Sequence, residues 1–293
     1  MSTVSWRFPE PETFNPDYYL ENNADLAGFF DTATAIDHFT THGAREGRMG
    51  SPFAHRDRFL TLAEGAGKIL EIGPGHKPCF TGANVRYFDA LSADELRARA
   101  ARFTDESAER TPEQIHYLLK DTALAGIPET FDIVFSSHAI EHQPDLLSHI
   151  NTCAGLLNPG GALMAIVPDR RFTFDRTIPA STIGDILEAF TLKRETHRIA
   201  DIIDAHCLTA HNNPVEHWQH TGEMEAVIKG PGLERGYQAA LDGGFADVHA
   251  WRVTCFEMAA QLASLQSLGL LGFERFHVYN TPLHSNEFCM VLY

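Results

Sequence analysis

Three acidic residues stand where the chain turns after short apolar runs. Glu71 lies two residues before Gly73 in Leu70-Glu71-Ile72-Gly73-Pro74-Gly75. Asp89 closes Val85-Arg86-Tyr87-Phe88, and Asp121 follows Ile115 to Leu119. Two glycines let the backbone pass close to a ligand. A carboxylate at Glu71 is expected to face that ligand, disfavouring phosphate and favouring a cation or an ammonium group. Asp89 can accept both hydroxyls of a ribose, and Asp121 can take the exocyclic amine of adenine. A tight turn among acid-rich loops would use the same residue types. Pro78 occupies the place of a third glycine, so the dinucleotide fingerprint is absent, and no Lys-Ser/Thr pair marks a triphosphate loop. The three acids with the Gly-x-Gly turn describe a site for a cationic adenosine.

The elements that must hold these residues alternate. Lys68 to Ile72 reads as a buried strand that turns into a helix after Gly-Pro-Gly. Val85 to Phe88, Ile115 to Leu119, Phe131 to Ser136 and Ala162 to Val167 read as four more strands. Helical spacing covers Ala93 to Phe103 and Asp145 to Leu157, the latter stopped by Asn158-Pro159-Gly160-Gly161. Strands alternating with helices predict a parallel α/β sheet covered on both faces. A less regular, His-rich stretch follows, with helices near Ile183 to Phe190 and Glu195 to His206. A helix over Phe256 to Leu268 and strands over Phe273 to Tyr279 and Glu287 to Tyr293 then close the sheet. Before all this, Asn15 caps a short helix with Pro16 at its first position. A second helix runs from Thr34 to His42, amid the aromatic residues Phe14, Tyr18, Tyr19, Phe29, Phe30 and Phe39.

S-adenosylmethionine has the ribose, adenine, ammonium and sulfonium that the three acids would suit. Leu70-Glu71-Ile72-Gly73-Pro74-Gly75 resembles motif I of class I S-adenosylmethionine-dependent methyltransferases. Phe131 to His138 resembles their fourth-strand motif, and Leu156-Leu157-Asn158-Pro159-Gly160-Gly161 their helix-to-fifth-strand signature, with Asn158 where Lys or Arg is commoner. The resemblance implies a Rossmann-like, doubly wound seven-stranded sheet with a terminal antiparallel hairpin. It also implies cofactor contacts from Glu71, Gly73, Gly75, Asp89, Asp121, Ser137 and His138, and release of S-adenosylhomocysteine. Phe14 to Leu20, with His38-Phe39 and His42 to Arg48, is similar to a small module found beside bacterial polysaccharide glycosyltransferases and methyltransferases. Ser137 to His142, Val167 to Asp175 and Asn286-Glu287-Phe288 are similar to methyltransferases from that setting. The implied division is a helical module over 1–52 and a methyltransferase domain over 53–293, with an inserted cap over 170–245. The implied reaction is O-methylation of a sugar or glycan-precursor hydroxyl, in association with glycan-assembly enzymes. A scaffold that binds the cofactor without turnover is the other reading of the same motifs.

His138 ends the fourth strand, where the resemblance places the methyl group. A neutral imidazole there can take a proton from a hydroxyl; a histidine bonded to backbone or cofactor would occupy the same place. Asp169, after the fifth strand, is a second catalytic candidate, able to hold a substrate hydroxyl, act as base or bind a cation, and Asp175 lies nearby. His138-Ala139-Ile140-Glu141-His142 also fits the H-x-x-E-H zinc hydrolase pattern, which would need both histidines on one helical face and a third ligand. His206, His211, His217 and His220 have no clean helical ligand spacing and read as polarity in the cap. Trp218 and Trp251 read as core. No metal ligands are assigned.

Lys and Arg number 23 against 39 Asp and Glu, a net charge of −16. That balance argues against a broadly basic nucleic-acid binder. No apolar run approaches the ~20 residues of a membrane span, and the first residues do not read as a signal peptide. Cys79, Cys153, Cys207, Cys255 and Cys289 are scattered singly, which fits reduced thiols in a cytoplasmic protein.

Overall fold

A computed structural model describes residues 6–26, 28–102, 108–220, 222, 226–242 and 246–293. Seven strands form one sheet: β1 (Ile69–Ile72), β2 (Val85–Asp89), β3 (Tyr117–Leu118), β4 (Phe131–Ser137), β5 (Leu157–Pro168), β6 (Phe276–Val278) and β7 (Glu287–Leu292). Their order is β3-β2-β1-β4-β5-β7-β6. The first five run parallel, and β7 lies antiparallel between β5 and β6. The expected Rossmann-like sheet with its terminal antiparallel hairpin is therefore present. Strand order reverses between β1 and β4, which opens a crevice at their carboxyl ends.

Alternation in the strands builds two cores. Leu70, Ile72, Val134, Leu163, Ala165, Phe288 and Met290 face helices Leu146–Gly155 and Cys255–Ser267. Ile69, Tyr87, Ile133, Phe135, Met164, Ile166 and Val291 face the other way, onto Phe8, Phe59, Leu62 and Ala63. The second face is thus covered by chain that precedes the sheet.

That cover stands where a crossover helix was expected. No helix forms between β1 and β2. Gly73 and Gly75 take left-handed backbone, φ 68° and 56°, and Pro74 and Pro78 lack amide donors. The loop is held instead by Glu71, whose carboxylate accepts the Cys79 amide at 2.7 Å and the Phe80 amide at 3.0 Å. Phe80 then packs edge-on against Phe135, centroids 5.0 Å apart.

Other boundaries shifted for local reasons. β3 is only two residues long, and His116 Nδ1 accepts the Tyr87 amide at 3.1 Å beside it. β5 begins before the Asn-Pro-Gly-Gly expected to precede it. Gly160 is left-handed there, and a Cβ on Gly161 would stand 2.6 Å from the Asp132 carbonyl oxygen. The helix expected to reach Phe103 runs Ala93–Ala100, and Phe103 lies outside the described residues.

In the inserted region Ile183–Leu192 and Ile199–Cys207 are helical as expected. Two helices there went unread. Pro214–Gln219 starts on Asn213-Pro214, the same cap and first-turn proline as Asn15-Pro16. Gly230–Asp242 was hidden by its opening Gly-Pro-Gly. Its Gly232 and Gly236, one helical turn apart, lie against His206 and Ile203, where any Cβ would collide.

The N-terminal helices pack as a separate small cluster. Asn15 Oδ1 accepts the Tyr18 amide at 2.8 Å, and Tyr19 is fully buried with Leu26 and Ala35. Arg48 binds Asp25 through two hydrogen bonds of 2.8 Å and Glu46 at 2.6 Å. The Leu283 amide donates to the Gly47 carbonyl, and the Asn280 side chain to that of Arg48, which seats the cluster beside the β6–β7 loop. A Cβ on Gly43 would stand 2.0 Å from Tyr19 Oη. Gly43→Ala is therefore expected to destabilise this cluster by about 1–3 kcal/mol through overpacking. Thermal unfolding checks this, with partial recovery expected in the Tyr19→Phe, Gly43→Ala double variant.

Candidate active site

The crevice is a cleft of about 960 Å³. Gly73 and Gly75 line one wall. Asp89 lies at the end of β2, and Leu96, Leu119 and Leu124 close that end with apolar surface. At the far end stand His138, His142, His206 and His249. Gly73 cannot carry a side chain: a Cβ would meet that of Ala139 at 2.9 Å. Gly75 differs, since nothing lies within 4 Å of where its Cβ would be. Asp89 accepts the Leu91 amide at 2.9 Å. Burial raises its pKa, opposed by the Leu91, Gly75 and Ala90 amides.

His138 sits at φ 51°, rare for a non-glycine residue, just past β4. Its Nε2 lies 2.8 Å from Glu287 Oε2, on the first residue of β7. Arg56 donates to both oxygens of Glu287, at 2.8 and 2.6 Å, and to Ser137 Oγ at 3.0 Å. Burial alone would raise the Glu287 pKa, but the hydrogen bonds from His138 and Arg56 hold it at about 2. An ionised carboxylate can only accept, so Nε2 of a neutral His138 carries the proton and Nδ1 keeps its lone pair.

Only some of the residues singled out in the sequence meet in the cleft. Gly73, Gly75, Asp89 and His138 line it. Glu71 is buried in its loop-holding bonds, and burial pushes its pKa up to about 7 against the two amides and Arg56. Asp121 is exposed and outside the cleft, where leucines stand instead. Ser137 is held by Arg56. Asp169 is fully buried, bonded to Arg171 at 2.6 and 2.9 Å and to Thr281 Oγ1 at 2.6 Å. Asp175 pairs with His249. Of the cap histidines, His206 lines the cleft, while His217 and His220 bond to backbone carbonyls. Trp251 is core, and Trp218 is stacked on Phe172 with centroids 3.9 Å apart.

Glu287, Arg56 and His249 carried no assigned role in the sequence. Glu287 had two visible signals, the Asn286-Glu287-Phe288 resemblance and a charge opening an otherwise apolar strand. Arg56 and His249 had none, since their partners are far away in the chain.

This sheet and cleft define a class I S-adenosylmethionine-dependent methyltransferase fold. Residues 44–228 match the family model described as a methyltransferase domain, well over half of the chain, and the protein belongs to that family. It is 27% identical over 163 residues to a ubiquinone biosynthesis O-methyltransferase of Xanthomonas campestris pv. campestris (strain B100), covering 54% of this chain and 62% of that one. It is 28% identical over 171 residues to the Chelativorans sp. (strain BNC1) protein of the same name, covering 57% and 60%. The chain thus spans about three fifths of the length of these relatives. Among solved structures, the S-adenosylhomocysteine complex of DhpI aligns over 95% of this chain and 94% of its own at 13% identity, TM-score 0.38. The glycopeptide N-methyltransferase MtfA with S-adenosylmethionine aligns over 39% and 53% at 16% identity, TM-score 0.29.

S-adenosylmethionine is the cofactor of this fold, and the residues present fit it. The open face of Gly75 leaves room for ligand against the backbone, and a half-buried carboxylate at Asp89 meets an apolar end suited to a base. Among the described residues no helix is long and apolar enough to cross a membrane.

Glu287 and Glu71 drive stability in opposite directions with pH. Glu287 is depressed from 4.5 to about 2, so its contribution is full above about 4.5 and is lost as pH falls toward 2. That contribution is on the order of 3 kcal/mol. Glu71 is raised to about 7, so the folded state keeps its proton longer, and its contribution is lost as pH rises from about 4.5 through 7. Urea midpoints measured against pH are expected to lose their acid limb in Glu287→Gln and their neutral limb in Glu71→Gln.

Proposed function

We propose that this protein transfers the methyl group of S-adenosylmethionine to a hydroxyl oxygen, that of a sugar or glycan precursor. One observation carries the oxygen: His138 lines the cleft with its Nε2 held by Glu287, and its Nδ1 lies 3.9 Å from Glu141 Oε1. That is the arrangement of a general base positioned by a carboxylate. The names of the curated relatives, O-methyltransferases, agree with it. The glycan rests on the similarity of the N-terminal cluster and of Ser137 to His142 to proteins of polysaccharide assembly.

Asp89 would accept the ribose hydroxyls, and Leu96, Leu119 and Leu124 would flank the adenine. Gly73 and Gly75 would let the methionine portion lie against the backbone. Glu71 would act beneath the site, by holding the loop that carries both glycines. Asp121, Ser137 and Asp169 would serve the site only indirectly. The bound cofactor supplies an electrophilic methyl group on a sulfonium. His138 Nδ1 takes the hydroxyl proton as the oxygen receives the methyl, and S-adenosylhomocysteine leaves. Orientation in the cleft supplies most of the rate, and the base adds roughly 10²–10⁴-fold. We take 1–52 as an accessory module, 53–293 as the methyltransferase and 170–245 as its cap, acting in the cytoplasm beside glycan-assembly enzymes.

Gly75→Arg fills the open cradle. It is expected to abolish S-adenosylmethionine binding in calorimetry while the circular dichroism spectrum stays unchanged. His138→Asn is expected to keep cofactor affinity and to lower kcat by about 10²-fold or more with an oxygen acceptor. Unchanged turnover in that variant, or transfer to amines alone across a panel of glycans and amines, would overturn the oxygen assignment.

A further inference from the structure

Past β4 the chain makes a single tight turn, Ile140–His142, that sets a buried Glu141 next to His142, which lines the cleft. Glu141 is 1% exposed, and neither of its carboxylate oxygens has a hydrogen-bond partner. Its backbone carbonyl accepts the amides of Ala250 and Trp251, which brings His249 onto the same spot. His142 Nε2 and His249 Nε2 each lie 3.7 Å from Glu141 Oε1. The two rings stand perpendicular, centroids 4.7 Å apart. One ligand atom from each of the three residues lies within 4.8 Å of the others.

These separations are too long for hydrogen bonds. They suit three donors around one ion at about 2.0–2.2 Å from each. The outer face of each ring strengthens the case. His249 Nδ1 lies 2.5 Å from Asp175 Oδ2, and His142 Nδ1 lies 3.3 Å from Asp247 Oδ1. At His249 the hydrogen-bonded carboxylate behind the ring turns Nε2 inward as a lone-pair donor, the usual support of a metal-bound histidine, whereas His142 Nδ1 makes no hydrogen bond. The arrangement is not the one that H-x-x-E-H would build as a hydrolase motif. His138 Nε2 is engaged with Glu287, His249 comes from a distant segment, and Glu141 lies among the ligand atoms rather than outside them as a base.

We propose that Glu141, His142 and His249 bind a divalent transition-metal ion, and that its open positions receive the acceptor oxygen. Two imidazoles and one carboxylate favour zinc, cobalt(II) or iron(II) over magnesium or calcium, which prefer all-oxygen sets. His142 and His249 line the same cleft as His138, so an ion there would face the methyl-transfer position. It would lower the pKa of an acceptor hydroxyl, and His138 would accept the proton that leaves. This second half rests on the oxygen-transfer reading, while the binding of the ion does not.

The test uses the full chain, stripped with chelator and titrated with cobalt(II) and zinc. Wild type is expected to bind one equivalent, with visible cobalt d–d bands of a low-coordinate site and elemental analysis agreeing. His249→Ala and His142→Ala are expected to lose affinity more than about 100-fold, and Asp175→Asn about 10- to 100-fold. Glu141→Gln is the closest isostere at the third ligand and should lose the bands as well. S-adenosylmethionine binding, measured in parallel on each variant, reports the fold and the cofactor site separately. Wild type that takes up neither metal, or His249→Ala that takes up as much as wild type, overturns the metal site. Loss of cofactor binding in wild type would instead overturn the methyltransferase reading and leave the metal result standing.

Discussion

The carboxylate of Glu287 is the joint on which the His138 end of the cleft depends. It lies on β7, pairs with Arg56 from the chain ahead of the sheet, and orients His138 at the end of β4. Three segments remote in sequence converge on one charge. Burying that charge is costly, and the bidentate guanidinium with the imidazole offsets the cost. The low pKa expresses the same balance. Removing β7 from between β5 and β6 would therefore do more than shorten a sheet, because the tautomer of His138 would lose its cause. The antiparallel hairpin contributes chemistry as well as cover.

A second carboxylate solves a different problem with the same kind of bond. Without a helix between β1 and β2, the glycine turn has no helical amides behind it. Glu71 supplies a substitute by accepting two amides of the returning loop. The Arg56–Leu60 helix and Phe59 cover the sheet face that a crossover helix would have covered. The segment before the sheet thus packs against β1 and also sends Arg56 to the active site. The Gly73–Gly75 loop and the His138 ring share one support, and a change in packing under Phe59 would be felt at both.

The parallel strands and the ends of β1, β2 and β4 were legible because short apolar runs bounded by glycine, proline and acids leave few alternatives. Asp89 and His138 were legible for the same reason, being the residues on which those runs stop. Glu71 was placed correctly in the chain but assigned the wrong direction. Alternation along a four-residue strand sends its side chain to the face opposite Ile72, and proximity to Gly73 in sequence hides that. Asp169 shows a related limit: a carboxylate beside a cleft-forming strand looks available until Arg171 and Thr281 are seen to occupy it. Helix Gly230–Asp242 escaped because its glycines, which read as breakers, serve close packing against Ile199–Cys207. What sequence could not supply in each case was the identity of a partner far along the chain.

The net charge of −16 takes on a local meaning at the cleft. Asp89 lies at one end, and Glu141, Asp175, Asp247 and Glu287 gather near the other. The exposed Asp247 is screened within a Debye length of about 8 Å, but the buried Glu141 and Asp175 keep their field. Four carboxylates around three histidines make that end favourable to positive charge, whether carried by a sulfonium, a metal ion or an imidazolium formed when His138 takes a proton. Methyl transfer from a sulfonium to a neutral hydroxyl ends with the positive charge moved onto the base. In the proposed reaction, a site already biased toward cations at both positions would let that charge move without leaving a favourable field, so the acids would stabilise its start and its end alike. On the proposed reaction the proton stops on His138, whose Nε2 is held by Glu287.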